Sequence, residues 1–271
     1  MVLRFSKYEG AGNDFILMDA RESEINPPAE FIRAFCDRHK GVGADGLMIL
    51  EMTTQADVDF KMRFYNADGG EGTMCGNGGR CITLFAHYLG VGGKLKTFEG
   101  IDGLHSAKVL DADNNRGVVE LGMIDVEGVS RTNEGDYLLY NGSNHVVRIV
   151  DNVDEYDVIG EGRKLRYSPQ FDHLQGVNVN FVEIVSDGKF KIRTYERGVE
   201  DETLACGTGA VASSIVVRMH TSSNATEWTA QARGGELAVR FEAEGDKFRG
   251  IVLTGPARRV FTGKLETTNF R

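Results

Sequence analysis

The sequence predicts an α+β fold built as two similar domains, on three observations. Strand-like alternation dominates the chain, helical periodicity is confined to a few segments, and the two strongest helices follow matching glycine-rich text that contains a cysteine.

In chain order, LRFSKYE, DFILMD, GLMILEM, FKMRFYNA, GVVELGM, YLLYNG, NHVVRIV, VNVNFVEIV, KFKIRTYE, ELAVRFEA, GIVLTG and RVFTGKLE read as strands. Each is short and apolar or alternating, and Gly, Asn and Asp mostly separate them. Helices are expected over Ala29–His39, entered through Asn26-Pro27-Pro28, and over Arg80–Leu89, stopped by Gly90. A third is expected over Ala210–Met219, where Val211, Ile215 and Met219 recur at four-residue steps, and a shorter one over Val153–Ile159. Ala210–Met219 is rich in β-branched residues, so period rather than propensity carries that assignment.

FYNADGGEGTMCGNGGRC leads into the second helix and TYERGVEDETLACGTGAVA into the third. Aligned on cysteine, both carry Glu four residues earlier (Glu71, Glu202) and Cys-Gly-x-Gly afterwards. Both place a residue of capping type, Asn77 or Thr208, two positions after the cysteine. Upstream, FKMRFYN matches FKIRTYE, and GNDFILMD loosely matches NVNFVEIV. The repeat predicts a first domain over residues 1–122, completed by 257–271, and a second over 123–256.

Composition narrows the function. The 271 residues carry a net charge of −9, which argues against broad binding to nucleic acid or anionic membranes, since a phosphate backbone needs a basic face. No signal peptide and no membrane-length apolar run are read, so a cytoplasmic protein is expected. Glycine is 34 of 271, well above the usual share of about 7%, while only 4 residues are proline. That imbalance points to tight turns inside ordered structure. Cys36, Cys75, Cys81 and Cys206 are too few for a disulfide scaffold and lack zinc-site spacing. Cys36 and Cys81 read as small core residues.

A cysteine entering a helix sits where backbone N–H groups and the positive end of the helix dipole converge. That environment favours thiolate, and the same N–H groups can hold a carboxylate. Two equivalent cysteines from two facing domains could flank one carbon, one removing a proton and the other delivering one to the opposite face. Such chemistry needs neither a metal nor a redox cofactor. A structural disulfide between the halves and two unrelated buried thiols are the competing readings.

GAGNDF, GVGADG, NADGGEGTMCGNGGRC, GVNVNF, ERGVEDETLACGTGA and the terminal GPARRVFTGKL together resemble the motifs of the diaminopimelate epimerases, over nearly the whole chain. The resemblance implies two pseudo-symmetric domains, each a strongly bent mixed sheet wrapped around a central helix, with the active site in the cleft between them. It implies a cofactor-independent epimerase that interconverts LL- and meso-2,6-diaminopimelate on the route to lysine and peptidoglycan, and a homodimer. Position by position, it implies Cys75 and Cys206 as the catalytic pair, with His145 and Glu196 also serving activity. Gly76, Asn77, Gly207 and Thr208 would hold the reacting carboxylate. Asn13, Asn66, Asn178, Glu196 and Arg197 would contact substrate, the last four at its distal amino-acid end.

Three positions depart from the family pattern. Gly142-Ser143-Asn144-His145 stands where Gly-Asn-Pro-His is common, so Ser143 takes the place of a substrate-binding Asn. Gly46 follows GVGAD where many members have a Gln that touches substrate. Glu196 to Cys206 is one residue longer than the commonest spacing, read as a turn insertion. Proline racemases and hydroxyproline epimerases share the architecture and a cysteine pair, yet need no charged pocket for a distal end. Glu196, Arg197 and the amides favour diaminopimelate. An inert relative that only binds an amino acid or anion is the rival of a different class.

Overall fold

A computed structural model describes residues 2–266. The chain divides into two compact units, Met1–Leu121 with Gly255–Arg271, and Gly122–Thr254.

The first unit contains β1 (Val2–Gly10), β2 (Asn13–Asp19), α1 (Ala29–Cys36), β3 (Gly46–Glu51), β4 (Phe60–Asn66), α2 (Gly76–Tyr88), β5 (Leu95–Gly100), β6 (Gly103–Ala112) and β7 (Arg116–Gly122). The second contains β8 (Ser130–Arg131), β9 (Tyr137–Tyr140), β10 (Asn144–Ile149), α3 (Val158–Arg166), β11 (Asn178–Ser186), β12 (Lys189–Glu196), β13 (Asp201–Thr203), α4 (Gly207–Thr221), β14 (Glu227–Ala232) and β15 (Gly235–Glu244). The last strand, β16 (Lys247–Glu266), belongs to the second unit through Thr254 and to the first from Gly255 onward.

In the first unit β1 to β7 follow one another across the sheet, and β16 joins β7 back to β1, so the sheet closes on itself. Closure leaves no unpaired edge. Inside lies α2, buried from Gly76 to Ala86. Outside, α1 covers the other face through Ile32, Phe35 and Cys36, which pack with Ile16, Met18, Leu47 and Ile49. Because β2 and β3 are covered on both faces, they read as continuous apolar runs rather than alternating ones. In the second unit the order is β16, β15, β14, β12, β11, β10, β9, β8, an open sheet with β13 added beside β12. Its inner face is filled by α4, buried from Gly209 to Val217, and α3 covers part of the outer face through Val158 and Leu165. Helix propensity disfavours Val211, Ile215, Val216 and Val217 by roughly 0.5 kcal/mol each. Burying each stabilises by about 1.5–3 kcal/mol, so packing decides.

Both units therefore show the mixed sheet bent around a central helix. The loose match of GNDFILMD to NVNFVEIV is one strand out, however. By connectivity β2 corresponds to β10 and β3 to β11, since each pair forms the parallel step that follows a hairpin.

Several element boundaries differ from the sequence reading. Helix α1 stops at Cys36, not His39, because the Asp37 carboxylate accepts the backbone N–H groups of His39 and Lys40 at 2.8 and 2.7 Å and turns the chain. The central helices begin earlier than expected, at Gly76 and Gly207, with Cys75 and Cys206 themselves as extended N-cap residues. Asn77 and Thr208 are thus the second helical residues, not caps. Helix α3 starts at Val158, behind Asp157, whose side chain accepts from Gly160 N at 2.9 Å. The expected helix over Val153–Ile159 is mostly the loop before it. Strands β5, β6, β8, β13 and β14 were not legible: β8 and β13 are only two and three residues long, and β5 carries a buried Lys96, whose ammonium donates to the Val91 and Gly93 carbonyls. The two runs around Gly255-Pro256 are one strand, with Pro256 opposite Val118.

Candidate active site

In the first unit several candidate residues gather around the N-terminus of α2. Cys75 is half-buried, and the first turn behind it is buried. Asn77 is 1% exposed; its Nδ2 donates to Asn13 Oδ1, and its Oδ1 accepts from Arg80 Nη2 at 2.9 Å. Asn13 in turn donates to Asp45 Oδ2 at 3.1 Å. Behind Asn13 stands a charged cluster. Arg38 donates to Asp14 Oδ1 at 2.7 Å and to Asp45 Oδ1 at 2.6 Å, and Lys7 lies 2.6 Å from Asp14 Oδ2. Burial alone would raise the Asp14 carboxyl, but hydrogen bonds and charge from Arg38 and Lys7 win and hold it at about 2.

Arg80 is fully buried one turn into α2. Its three hydrogen bonds go to neutral acceptors: Gly76 O at 2.9 Å, Asn77 Oδ1 and Pro256 O at 3.3 Å. Burial lowers its pKa while the neighbouring Cys81, Cys75 and Glu9 oppose that. The result is a cation set at the same helix end as the Cys75 thiol. One residue before Cys75, the Met74 N–H donates to Asp102 Oδ2 at 3.2 Å, and the other Asp102 oxygen meets His105 Nε2 at 3.1 Å.

Asn66 ends β4, exposed, directly opposite Gly46 at the start of β3. Gly46 is required by packing. A Cβ there would lie 2.5 Å from the Tyr65 carbonyl and 2.6 Å from the Phe64 ring, so Phe64 occupies the space that a side chain at 46 would need.

In the second unit Cys206 is 9% exposed and its Sγ lies 3.4 Å from Thr208 Oγ1. Asn141 donates to Thr208 O at 2.8 Å and anchors the first turn of α4. The pair of strands β10 and β11 places His145 beside Asn178. His145 is fully buried with both ring nitrogens engaged, Nδ1 by Asn180 at 3.1 Å and Nε2 by Ser143 Oγ at 2.9 Å. Burial, helped by the positive charge of Arg197, pushes its pKa down to about 3, so the imidazole is neutral. Asn178 donates to Ser143 Oγ at 3.2 Å and accepts the Arg197 backbone N–H at 2.9 Å. Glu196 accepts from Thr203 Oγ1 at 2.9 Å. The extra residue before Cys206 is absorbed by a turn in which Glu200 adopts a left-handed φ of 60°, its N–H returns to Glu196 O, and its carboxylate pairs with Arg166 at 3.1 Å.

The repeated glutamates do not share a role. Glu202 is buried against Arg193 at 2.6 Å and Arg233 at 3.1 Å, whereas Glu71 is exposed and bridges Tyr65 through the backbone. Cys36 and Cys81 are buried core thiols, as expected; burial raises both, Cys36 to about 12. None of the four cysteines is in a disulfide. Among the described residues no helix is long and apolar enough to cross a membrane.

The expected residues thus fall into two groups: Cys75, Gly76, Asn77, Asn13 and Asn66 in the first unit, and Cys206, Gly207, Thr208, Ser143, His145, Asn178, Glu196 and Arg197 in the second. Sequence reasoning missed Arg80, Asp102, His105, Asn141 and Asn180. Arg80 and Asn180 left a usable signal, a polar residue at an inward position of an otherwise apolar helix turn or strand.

The family model for diaminopimelate epimerase matches residues 5–126 and 137–260. The chain belongs to the diaminopimelate epimerase family. It is 44% identical over 261 residues to the diaminopimelate epimerase of Flavobacterium psychrophilum, covering 96% of this chain and 98% of that one. Among solved structures it resembles a phenazine biosynthesis protein of the PhzF family from Bacillus anthracis (TM-score 0.74, 12% identity, 98% of this chain and 99% of the other). It also resembles a probable proline racemase from Agrobacterium radiobacter (TM-score 0.71, 16% identity, 98% and 93%). At those identities the likeness shows the fold alone. Family membership makes the chain an isomerase of the epimerase type.

Proposed function

We propose that this chain interconverts LL- and meso-2,6-diaminopimelate, with Cys75 and Cys206 as the two proton-transferring groups. The observation that carries the reading is the duplication itself: in each unit a cysteine is the N-cap of the central buried helix, at the helix end that favours thiolate and binds carboxylate. The chemistry requires both thiols to reach one α-carbon from opposite faces. One thiolate takes the α-proton, leaving the electron pair delocalised into the adjacent carboxylate. The opposite thiol then gives its proton to the other face, so the stereocentre inverts and the two sulfurs exchange protonation states. Backbone N–H groups of Gly76, Asn77, Gly207 and Thr208 stabilise the charge that builds on the carboxylate.

The distal amino-acid end needs a cation, an anion and amides. Arg197 offers its guanidinium, Glu196 its carboxylate, and Asn66, Asn178 and Ser143 offer neutral donors, with Asn13 set against the first helix turn. That set supports diaminopimelate over a cyclic imino acid such as proline. His145 and Glu196 serve activity by different routes: Glu196 faces the ligand set, while the neutral His145 holds Ser143 and Asn180 in place. The reading places the reaction in lysine and peptidoglycan biosynthesis, in the cytoplasm, with a second copy of the chain as partner.

The test is direct. Reduced protein incubated with LL-diaminopimelate, proline or hydroxyproline, and followed by chiral chromatography, is expected to convert diaminopimelate alone to its meso form. Conversion of proline or hydroxyproline, but not diaminopimelate, would keep the chemistry and remove the substrate. Binding of diaminopimelate without conversion would favour an inert relative.

A further inference from the structure

Four polar groups in the second unit are joined head to tail. Thr194 Oγ1 donates to Asn180 Oδ1 at 3.0 Å, and Asn180 Nδ2 reaches His145 Nδ1 at 3.1 Å. His145 Nε2 meets Ser143 Oγ at 2.9 Å. The direction of every link is set by backbone groups that cannot change role. Asn180 Nδ2 also donates to the Val146 carbonyl at 3.0 Å, so the amide nitrogen must lie on the His145 side. An amide N–H can only donate, so His145 Nδ1 must be the acceptor and Nε2 must carry the proton. Asn178 is oriented in the same way, because its Oδ1 accepts the Arg197 N–H and leaves Nδ2 to donate to Ser143 Oγ at 3.2 Å.

Ser143 Oγ therefore receives two donors, His145 Nε2–H and Asn178 Nδ2–H. Both lone pairs are used, and its own proton must point elsewhere, from a half-buried position. We propose that Thr194, Asn180 and His145 form a one-way hydrogen-bond chain that makes the Ser143 hydroxyl an obligate donor, selecting a carboxylate oxygen and rejecting an ammonium at that point of the ligand. Asn180 and Thr194 are positioning residues in this account, and neither touches substrate. Aligned donors polarise one another, so the terminal O–H is a stronger donor than an isolated serine. The chain also abuts the catalytic helix, since a Cβ on Gly209 would lie 2.3 Å from Asn180 Oδ1.

The inference rests on the epimerase reading only for the identity of the ligand. Its first test needs no substrate: 15N NMR of the imidazole, assigned with a His145→Gln variant, is expected to show Nε2 protonated and Nδ1 bare in the parent protein from pH 6 to 9. A protonated Nδ1 in that range would overturn the proposal. The second test is kinetic. Ser143→Ala is expected to raise KM for diaminopimelate about ten- to a hundredfold, the range for losing a hydrogen bond to a charged group, with kcat changed much less. Asn180→Asp, assayed at pH 9 where the imidazole is neutral, places an acceptor at Nδ1. The imidazole proton moves there, Ser143 turns its own proton inward to Nε2, and KM should rise to match Ser143→Ala. Should Asn180→Asp fail to fold, the NMR and Ser143→Ala remain decisive; an unchanged KM in Ser143→Ala would sink the proposal. Failure of the parent protein to convert diaminopimelate would remove the epimerase reading and leave the tautomer result standing.

Discussion

The two units share a backbone plan and differ in what surrounds the cysteine. In the first unit Cys75 is half-buried, with the buried Arg80 cation on its helix and the ionic cluster of Lys7, Asp14, Arg38 and Asp45 behind Asn13. In the second Cys206 is nearly buried, Val211 stands where Arg80 stands, and the polar groups form a neutral chain through His145. The duplicated helix end is what the two units share; the divergent surroundings distinguish the two thiols. In the proposed reaction one end of the ligand reacts while the other is held, so unlike surroundings for the two thiols are compatible with a proton transfer that runs alike in both directions.

The largest expected effect tests what the units have in common. Cys75→Ala and Cys206→Ala should each lose at least about a thousandfold in turnover, in keeping with removal of an acid–base group, with the fold retained by circular dichroism. Loss in one variant and near-normal turnover in the other would break the equivalence.

The third helical residue sharpens the comparison. A Cβ on Gly78 meets the Met48 methyl at 1.9 Å, the far end of a flexible side chain that can move. A Cβ on Gly209 meets Asn180 Oδ1 at 2.3 Å and the Cys206 sulfur at 3.3 Å, both fixed. Gly209→Ala should therefore cost about 1–3 kcal/mol of stability and most of the activity, and Gly78→Ala clearly less on both, as read by urea unfolding and turnover. The reverse order would contradict the packing described.

Acid should separate the units as well. The folded His145 has its pKa near 3, below the ordinary value near 6.5, so the unfolded chain binds more protons between those limits. The stability tied to neutral His145 is complete above about 6.5 and falls away as the pH drops towards 3, by up to roughly 4 kcal/mol. Asp14 is also depressed, to about 2, and its contribution is kept down to about pH 4 and lost between there and 2. The second unit should thus loosen first. Trp228, the single tryptophan, is buried in β14 of that unit and reports on it by fluorescence. Its acid transition should begin between pH 6.5 and 3 and flatten in His145→Gln; a transition confined below pH 3 would contradict the assignment.

The smallest effect concerns reactivity. Cys75 is the more exposed thiol and has Arg80 at its helix end, so iodoacetamide should modify it several-fold faster than Cys206 at neutral pH. Arg80→Met should narrow the gap. Equal rates in the parent protein, read by peptide mapping, would argue that the surroundings do not matter.

The central helices, the cysteines at their starts and the strands β1 to β4 were legible in the sequence because apolar periodicity and glycine-rich turns mark them locally. What was not legible depended on partners far along the chain. Helix α3 was hidden by Gly160 and Gly162, and Gly162 is needed because a Cβ there would strike Tyr195. Strand β5 was hidden by Lys96, which is buried only because two carbonyls satisfy it. The pairing of repeats slipped by one strand because DFILMD and NFVEIV look alike, while the parallel register that distinguishes them is a tertiary fact. At the candidate site, motif text picked out the residues that gather at each helix start, but the Asn180–His145–Ser143 order rests on side-chain contacts between strands that no local motif carries.

The most direct measurement is the fate of the α-hydrogen. Parent protein would convert LL-diaminopimelate in D2O, with early product and remaining substrate analysed by mass spectrometry. With two thiols, the proton removed on one face is not the one delivered on the other. The meso product should carry one solvent deuterium from the first turnovers, while unreacted substrate stays almost wholly protiated. Product that keeps its original hydrogen would mean that a single group removes and returns it, and would contradict the account.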